Sequence, residues 1–201
     1  GVSLIELERH DEALACFDQI LREDPTHPTL TNKGMLLFKL ERVEEAMECF
    51  DQILLHNPTD TEGLTAKGFV LLLLKRYDEA IVCLDQALRE DPTFHGALTN
   101  KGLVFFELDR FEEAIACYDQ ILLLYPTHKE TLSNKGVSLV QLGRYDEALA
   151  CFDQMLREDP THPILNTKGL LLFKWERYDE AVVCFDQILL HNPTDKEVLE
   201  K

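Results

Sequence analysis

The sequence predicts an all-α solenoid, a row of stacked helical hairpins, and three observations carry that prediction. A glycine recurs at Gly1, Gly34, Gly68, Gly102, Gly136 and Gly169, at intervals of 33 or 34 residues. A proline follows each at one fixed distance: Pro25, Pro58, Pro92, Pro126, Pro160 and Pro193. Between each pair lie an alanine (Ala13, Ala46, Ala80, Ala114, Ala148, Ala181) and, one helical turn later, a large apolar residue (Phe17, Phe50, Leu84, Tyr118, Phe152, Phe185). Such a period marks an array whose repeats pack on their neighbours, not one globular core.

The repeat around Gly68 shows why each element forms. Leu64, Gly68, Leu71 and Leu74 make an apolar stripe at helical spacing. Lys75-Arg76-Tyr77 reads as a turn. Asp78 and Glu79 suit the start of a second helix, where unpaired N–H groups and the dipole favour carboxylates. Ala80, Cys83, Leu84, Ala87 and Leu88 form its stripe, and Asp91-Pro92 stops it. Gly68 and Ala80 are small where the two helices should cross. Applied throughout, the pattern predicts helices at 11–23, 28–40, 44–56, 61–74, 78–90, 95–108, 112–124, 129–142, 146–158, 163–175 and 179–191. Pro28 and Pro163 fall in first turns, where a missing N–H costs little. The chain reads as one array: a partial repeat over 1–27, repeats near 28–60, 61–94, 95–128, 129–161 and 162–194, and the start of a further helix over 195–201.

Residues 1–66 match residues 136–201 at most positions, as if four repeats had been copied together. Helix ends also alternate: Arg22-Glu23-Asp24, Leu55-His56-Asn57, Arg89-Glu90-Asp91, Leu123-Leu124-Tyr125. Recurrence on two scales is expected of a window onto a longer array.

Charge narrows the partners. A net charge of −17 repels phosphate backbones and anionic lipid, so the expected partner is a basic or neutral protein or peptide, not nucleic acid or membrane. No apolar run approaches a membrane span, and no basic stretch leads into an apolar one, so no signal peptide is expected. Cys16, Cys49, Cys83, Cys117, Cys151 and Cys184 occupy one slot per repeat. Packed helices sit about 8–10 Å apart, beyond disulfide reach and beyond a shared metal. The cysteines therefore read as small buried hydrophobes, which places the chain in the cytoplasm or another reducing compartment. No phosphate-loop, dinucleotide, zinc-protease or nucleophile-elbow motif occurs. His27, His95, His128 and His162 lie near repeat junctions, while His56 and His191 end helices, and no metal or cofactor is expected from them.

These residues resemble the tetratricopeptide repeat (TPR) family over essentially the whole chain. The glycine, alanine, large apolar residue and proline match in all six copies. The family's tryptophan is replaced by Leu30, Leu64, Leu98, Leu132 and Leu165, and the leucine before the glycine by Lys33, Lys67, Lys101, Lys135 and Lys168. The resemblance implies a right-handed superhelix whose first helices line a concave peptide-binding groove. In the family the slot held here by Asn32, Ala66, Asn100, Asn134 and Thr167 faces that groove, with Thr31, Thr65, Thr99, Ser133 and Asn166 one residue earlier. An amide both donates and accepts, so it can pair with a peptide unit whatever the side chain. Met35, Phe69, Leu103, Val137 and Leu170 would add an apolar stripe, with Phe38, Leu72, Phe106, Val140 and Phe173 a turn further on. The competing reading leaves these polar residues merely solvated. Slots that clamp a terminal carboxylate in chaperone-tail-binding relatives hold Thr31, Thr65, Asn100 and Asn134, which argues against a clamp.

A second ladder, Asp18, Asp51, Asp85, Asp119, Asp153 and Asp186, is expected to pair with the lysines between helices; the alternative is a cationic rail facing the groove. The leading functional reading is a non-catalytic interaction scaffold. The alternatives are a substrate-presenting or regulatory arm of a larger enzyme, and an array that self-associates through uncapped ends.

Overall fold

The computed structural model describes residues 9–161 and 163–191. The expected further helix after Asp195 lies outside them. Among the described residues there are eleven α-helices and no strands: α1 (His10–Glu23), α2 (Thr29–Lys39), α3 (Val43–His56), α4 (Thr61–Leu73), α5 (Tyr77–Glu90), α6 (His95–Glu107), α7 (Phe111–Leu124), α8 (Lys129–Gln141), α9 (Tyr145–Glu158), α10 (Ile164–Lys174) and α11 (Tyr178–His191). The chain divides into two compact units, residues 1–108 and 109–201.

The apolar stripes do what their spacing predicts. In the first unit, α1–α3 bury Phe17, Leu30, Leu37 and Phe50 together, and α4–α6 bury Leu64, Leu71, Leu84 and Val104. In the second unit, α7–α11 enclose Leu139, Phe152, Met155 and Leu172. Each such side chain contributes about 1.5–3 kcal/mol on burial. The repeated glycine lies against its own hairpin's large apolar residue. A Cβ on Gly34 would come within 2.8 Å of the Phe50 ring, and one on Gly68 within 2.8 Å of Leu84 Cγ.

The turn inside each hairpin corrects the sequence reading by one residue. Tyr77 opens α5 rather than closing the turn, so Asp78 and Glu79 are the second and third helical residues. The cause is a tight C-terminal cap. Lys75 adopts φ 59°, its N–H donating to Leu72 O (2.9 Å) while the Arg76 N–H donates to Leu71 O (2.9 Å). Glu41, Gly143 and Glu176 repeat this geometry, and of these only Gly143 is a residue that tolerates positive φ without strain. Arg76 then sits just before α5, its guanidinium donating to the Glu79 carboxylate through two 2.7 Å hydrogen bonds. Arg42–Glu45 and Arg144–Glu147 make the same fork.

Between hairpins, short polar turns replace helix. Asp91 Oδ1 accepts from the Thr93 amide (2.9 Å) and hydroxyl (2.8 Å), as Asp24 does from Thr26 and Asp159 from Thr161. None of the six cysteines forms a disulfide, and Cys49, Cys117, Cys151 and Cys184 are buried. Burial pushes the thiols of Cys49, Cys83, Cys151 and Cys184 above their ordinary pKa, which makes them poor nucleophiles.

Candidate functional site

In the first unit, the first helices of successive hairpins (α2, α4 and α6) lie side by side. Two recesses open on them and meet at Phe69. One, of about 430 Å³, is lined by Met35 from α2, Glu62, Thr65, Ala66 and Phe69 from α4, Phe94 from the preceding turn, and Gly96 and Asn100 from α6. The other, of about 290 Å³, is lined by Phe69, Leu72 and Leu73 of α4, Lys75, Tyr77 of α5, and Leu103 and Glu107 of α6. The Tyr77 hydroxyl donates toward Glu107 Oε2 at 3.5 Å. The structure thus gathers Met35, Phe69, Leu103, Thr65 and Asn100 of the expected site around two shared hollows.

The remaining expected residues distribute as follows. Asn32 is exposed, and Thr31, Phe38 and Phe106 are half-buried. The Thr65 and Thr99 hydroxyl oxygens are buried without a hydrogen-bond partner, so they offer a bound chain little. Packing explains this: Thr65 Cγ2 lies 3.4 Å from where a Cβ on Gly96 would sit, in the seam between α4 and α6. In the second unit, Ser133 and Asn134 are half-buried on α8, while Val137 and Leu170 are exposed. Asn166 is half-buried on α10 with its Oδ1 buried and unpaired. Phe173, half exposed, meets Tyr178 edge-on at 5.3 Å.

The lysine ladder is a set of ion pairs, not a rail. Lys33 reaches Asp18 (2.7 Å), Lys67 Asp51 (2.5 Å), Lys101 Asp85 (2.7 Å) and Lys135 Asp119 (2.6 Å), and Lys168 pairs with Asp153. Each joins the second helix of one hairpin to the first helix of the next. The lysine stems are 19–25% exposed, packed along the seam with their ammonium groups at its edge. In two repeats the glutamine after the aspartate adds a second tie. Gln86 Nε2 donates to Pro58 O, and Gln154 Nε2 to Pro126 O, both at 2.7 Å.

Sequence reasoning missed Glu62, Phe94 and Glu107. Phe94 occupies the position before a first helix where Asp60 accepts from the Gly63 amide (2.7 Å) and His128 Nδ1 from the Thr131 amide (3.3 Å). Phe94 makes no such cap for α6 and walls the larger recess instead.

Family models described as tetratricopeptide repeat match residues 4–68 and 139–200, residues 61–94 and residues 101–167. No curated protein sequence matches the chain. Among solved structures it is similar to PilW, described as a widely conserved type IV pilus biogenesis factor, with TM-score 0.83 and 20% identity over 99% of this chain and 93% of that one. Pseudomonas aeruginosa pilF gives TM-score 0.78 and 19% identity, covering 100% and 92%. YrrB, described as a TPR protein with an unusual peptide-binding site, gives TM-score 0.69 and 22% identity, covering 92% and 96%. These likenesses establish the fold of stacked helical hairpins, and with the family matches they show that the chain belongs to the tetratricopeptide repeat family.

Proposed function

We propose that this chain is a non-catalytic interaction module that holds polypeptide on the faces formed by the first helices of each unit, through Asn32 and Asn100 in the first unit and Asn134 in the second, with the apolar residues beside them. The observation that carries this reading is the pair of recesses on α2, α4 and α6, lined by apolar side chains from neighbouring repeats with an amide among them. Such hollows suit side chains of a bound chain, while Asn100 can donate to and accept from its backbone. The net charge of −17 favours a basic or neutral segment and makes its association rate sensitive to salt. No described helix is long and apolar enough to cross a membrane.

The test begins with a random twelve-residue peptide library displayed against the full chain. Affinity of an enriched peptide is then measured by calorimetry for the chain and for the triple variant Asn32→Ala, Asn100→Ala, Asn134→Ala, with helicity checked by circular dichroism. Each amide hydrogen bond contributes about 0.5–1.5 kcal/mol, so the triple change should weaken binding by about tenfold or more. Undiminished affinity would move binding off these faces, and failure to enrich any peptide would count against the reading altogether.

A further inference from the structure

Resting on that reading, we propose that the first unit recognises a polyproline-II-like segment with two large apolar side chains three residues apart and a lysine or arginine beside one of them. The spacing comes from the recesses. On α4 their lining shifts from around Thr65 and Ala66 to around Leu72, and on α6 from Gly96 and Asn100 to Leu103 and Glu107. At 1.5 Å per helical residue, their centres are about 10 Å apart. A polyproline II chain returns to the same face every third residue, about 9 Å along. A β-strand does so at about 7 or 13 Å, about 3 Å off that separation. An α-helix fits only at the seventh residue, and its backbone groups are already paired, leaving nothing for Asn100. The polyproline II backbone keeps its N–H and C=O groups open.

Charge sets the flanking residue. Glu62 is the one charged residue lining the larger recess, whereas Lys75 and Glu107 offset each other at the smaller. A single cation beside the side chain in the larger recess is therefore complementary. α6 has no side-chain N-cap, as α2 and α10 have none, and the Phe94 ring at that position forms a wall of the hollow.

The test uses acetylated, amidated twelve-residue peptides, with affinity for the full chain read by fluorescence anisotropy. Leu-x-x-Leu peptides carry one lysine, placed beside either leucine, and the comparison peptides replace that lysine by glutamate, space the leucines as Leu-x-Leu, or place them seven apart in a helix-forming sequence. One of the two lysine placements should bind at least tenfold tighter than every comparison peptide. Glu62→Lys should abolish the preference for lysine over glutamate. Phe69→Ser should weaken binding at least tenfold, and Ala66→Trp, which fills the hollow without removing packing, should do the same if Phe69→Ser unfolds the repeat. The inference is overturned by absent binding of the Leu-x-x-Leu peptides, by equal binding of Leu-x-Leu, by preference for the seven-residue spacing, or by indifference to Glu62→Lys or Ala66→Trp. If library-derived peptides still depend on the three asparagines in those cases, the peptide-binding reading stands and only the recognition rule falls.

Discussion

Alanine at Gly34 should destabilise the hairpin of α2 and α3, and the same change should stabilise it once Phe50 is truncated. Two effects compete. Alanine is favoured over glycine inside a helix by about 1 kcal/mol. Against that, the new Cβ would lie 2.8 and 2.9 Å from two carbons of the Phe50 ring and 3.2 Å from Cys49 Cβ. Phe50 is fully buried, so the ring has nowhere to retreat, and overpacking of this kind costs about 1–3 kcal/mol. The net loss for Gly34→Ala is then about 0–2 kcal/mol. In a Phe50→Ala background, itself destabilised by about 3–5 kcal/mol, the ring clash is gone and only the 3.2 Å approach to Cys49 Cβ opposes the gain of about 1 kcal/mol. The four proteins of the cycle are compared by urea unfolding, with amide exchange in α2 and α3 reporting the same difference locally. If Gly34→Ala has the same sign and size in both backgrounds, the helix crossing at Phe50 is not what requires glycine.

Tyr118 is buried with an unpaired hydroxyl, where other repeats carry phenylalanine or leucine, and burial pushes its phenol well above the ordinary range. Tyr118→Phe should therefore stabilise the chain by about 1 kcal/mol or more. Because the folded pKa is raised, this group's contribution is present below about pH 10 and lost as pH rises beyond it. The substitution should flatten that alkaline decline in urea midpoint, and a destabilised Tyr118→Phe protein would show that the hydroxyl is satisfied. At the acid end, the Arg76 fork holds Glu79 below the usual carboxylate range, and Arg42, Arg144 and Arg177 do the same for Glu45, Glu147 and Glu180. A lowered pKa gives stability present above about pH 4.3 and lost as pH falls through the folded values. Changing all four glutamates to glutamine should lessen the acid dependence of the urea midpoint, and an unaltered acid limb would place it on other carboxylates.

Periodicity made the fold legible. Stripes at helical spacing fix which face of each helix is buried, and a proline at a constant offset fixes where each hairpin ends. The Lys67–Asp51 pairing was legible for the same reason, since two ladders of opposite charge recur in step. What the period could not show is geometry that depends on a single residue's neighbours. Nothing in the letters marks Glu41, Lys75 or Glu176 as left-handed, because the conformation is imposed by the helix cap rather than chosen by a glycine. Nor does a threonine announce that its hydroxyl is buried. Thr65 and Thr99 occupy a polar slot, but one that lies where adjacent first helices touch. The recess was legible only in part. Met35, Phe69, Leu103 and Asn100 occupy repeated slots, whereas Phe94 lies at a position that varies from repeat to repeat, where periodicity carries no signal.

The polar ties along the seam explain how such a site can be held in shape. In the first unit Asp18, Asp51 and Asp85 each join one hairpin to the lysine of the next, and Gln86 reaches back to the preceding turn at Pro58. The aspartates are 40–61% exposed, and ion pairs of that kind contribute only about 0–1 kcal/mol each. They cannot be what holds the repeats together; buried apolar area does that. Apolar burial, however, is in itself non-directional. A hydrogen-bonded pair at about 2.6 Å is not. The ladder therefore adds a directional preference to the register that side-chain packing sets, and register is what the recesses need, since the larger one draws Met35, Phe69 and Asn100 from three successive hairpins. A segment spanning them meets walls already in place, so less of its contact energy is consumed in ordering the protein.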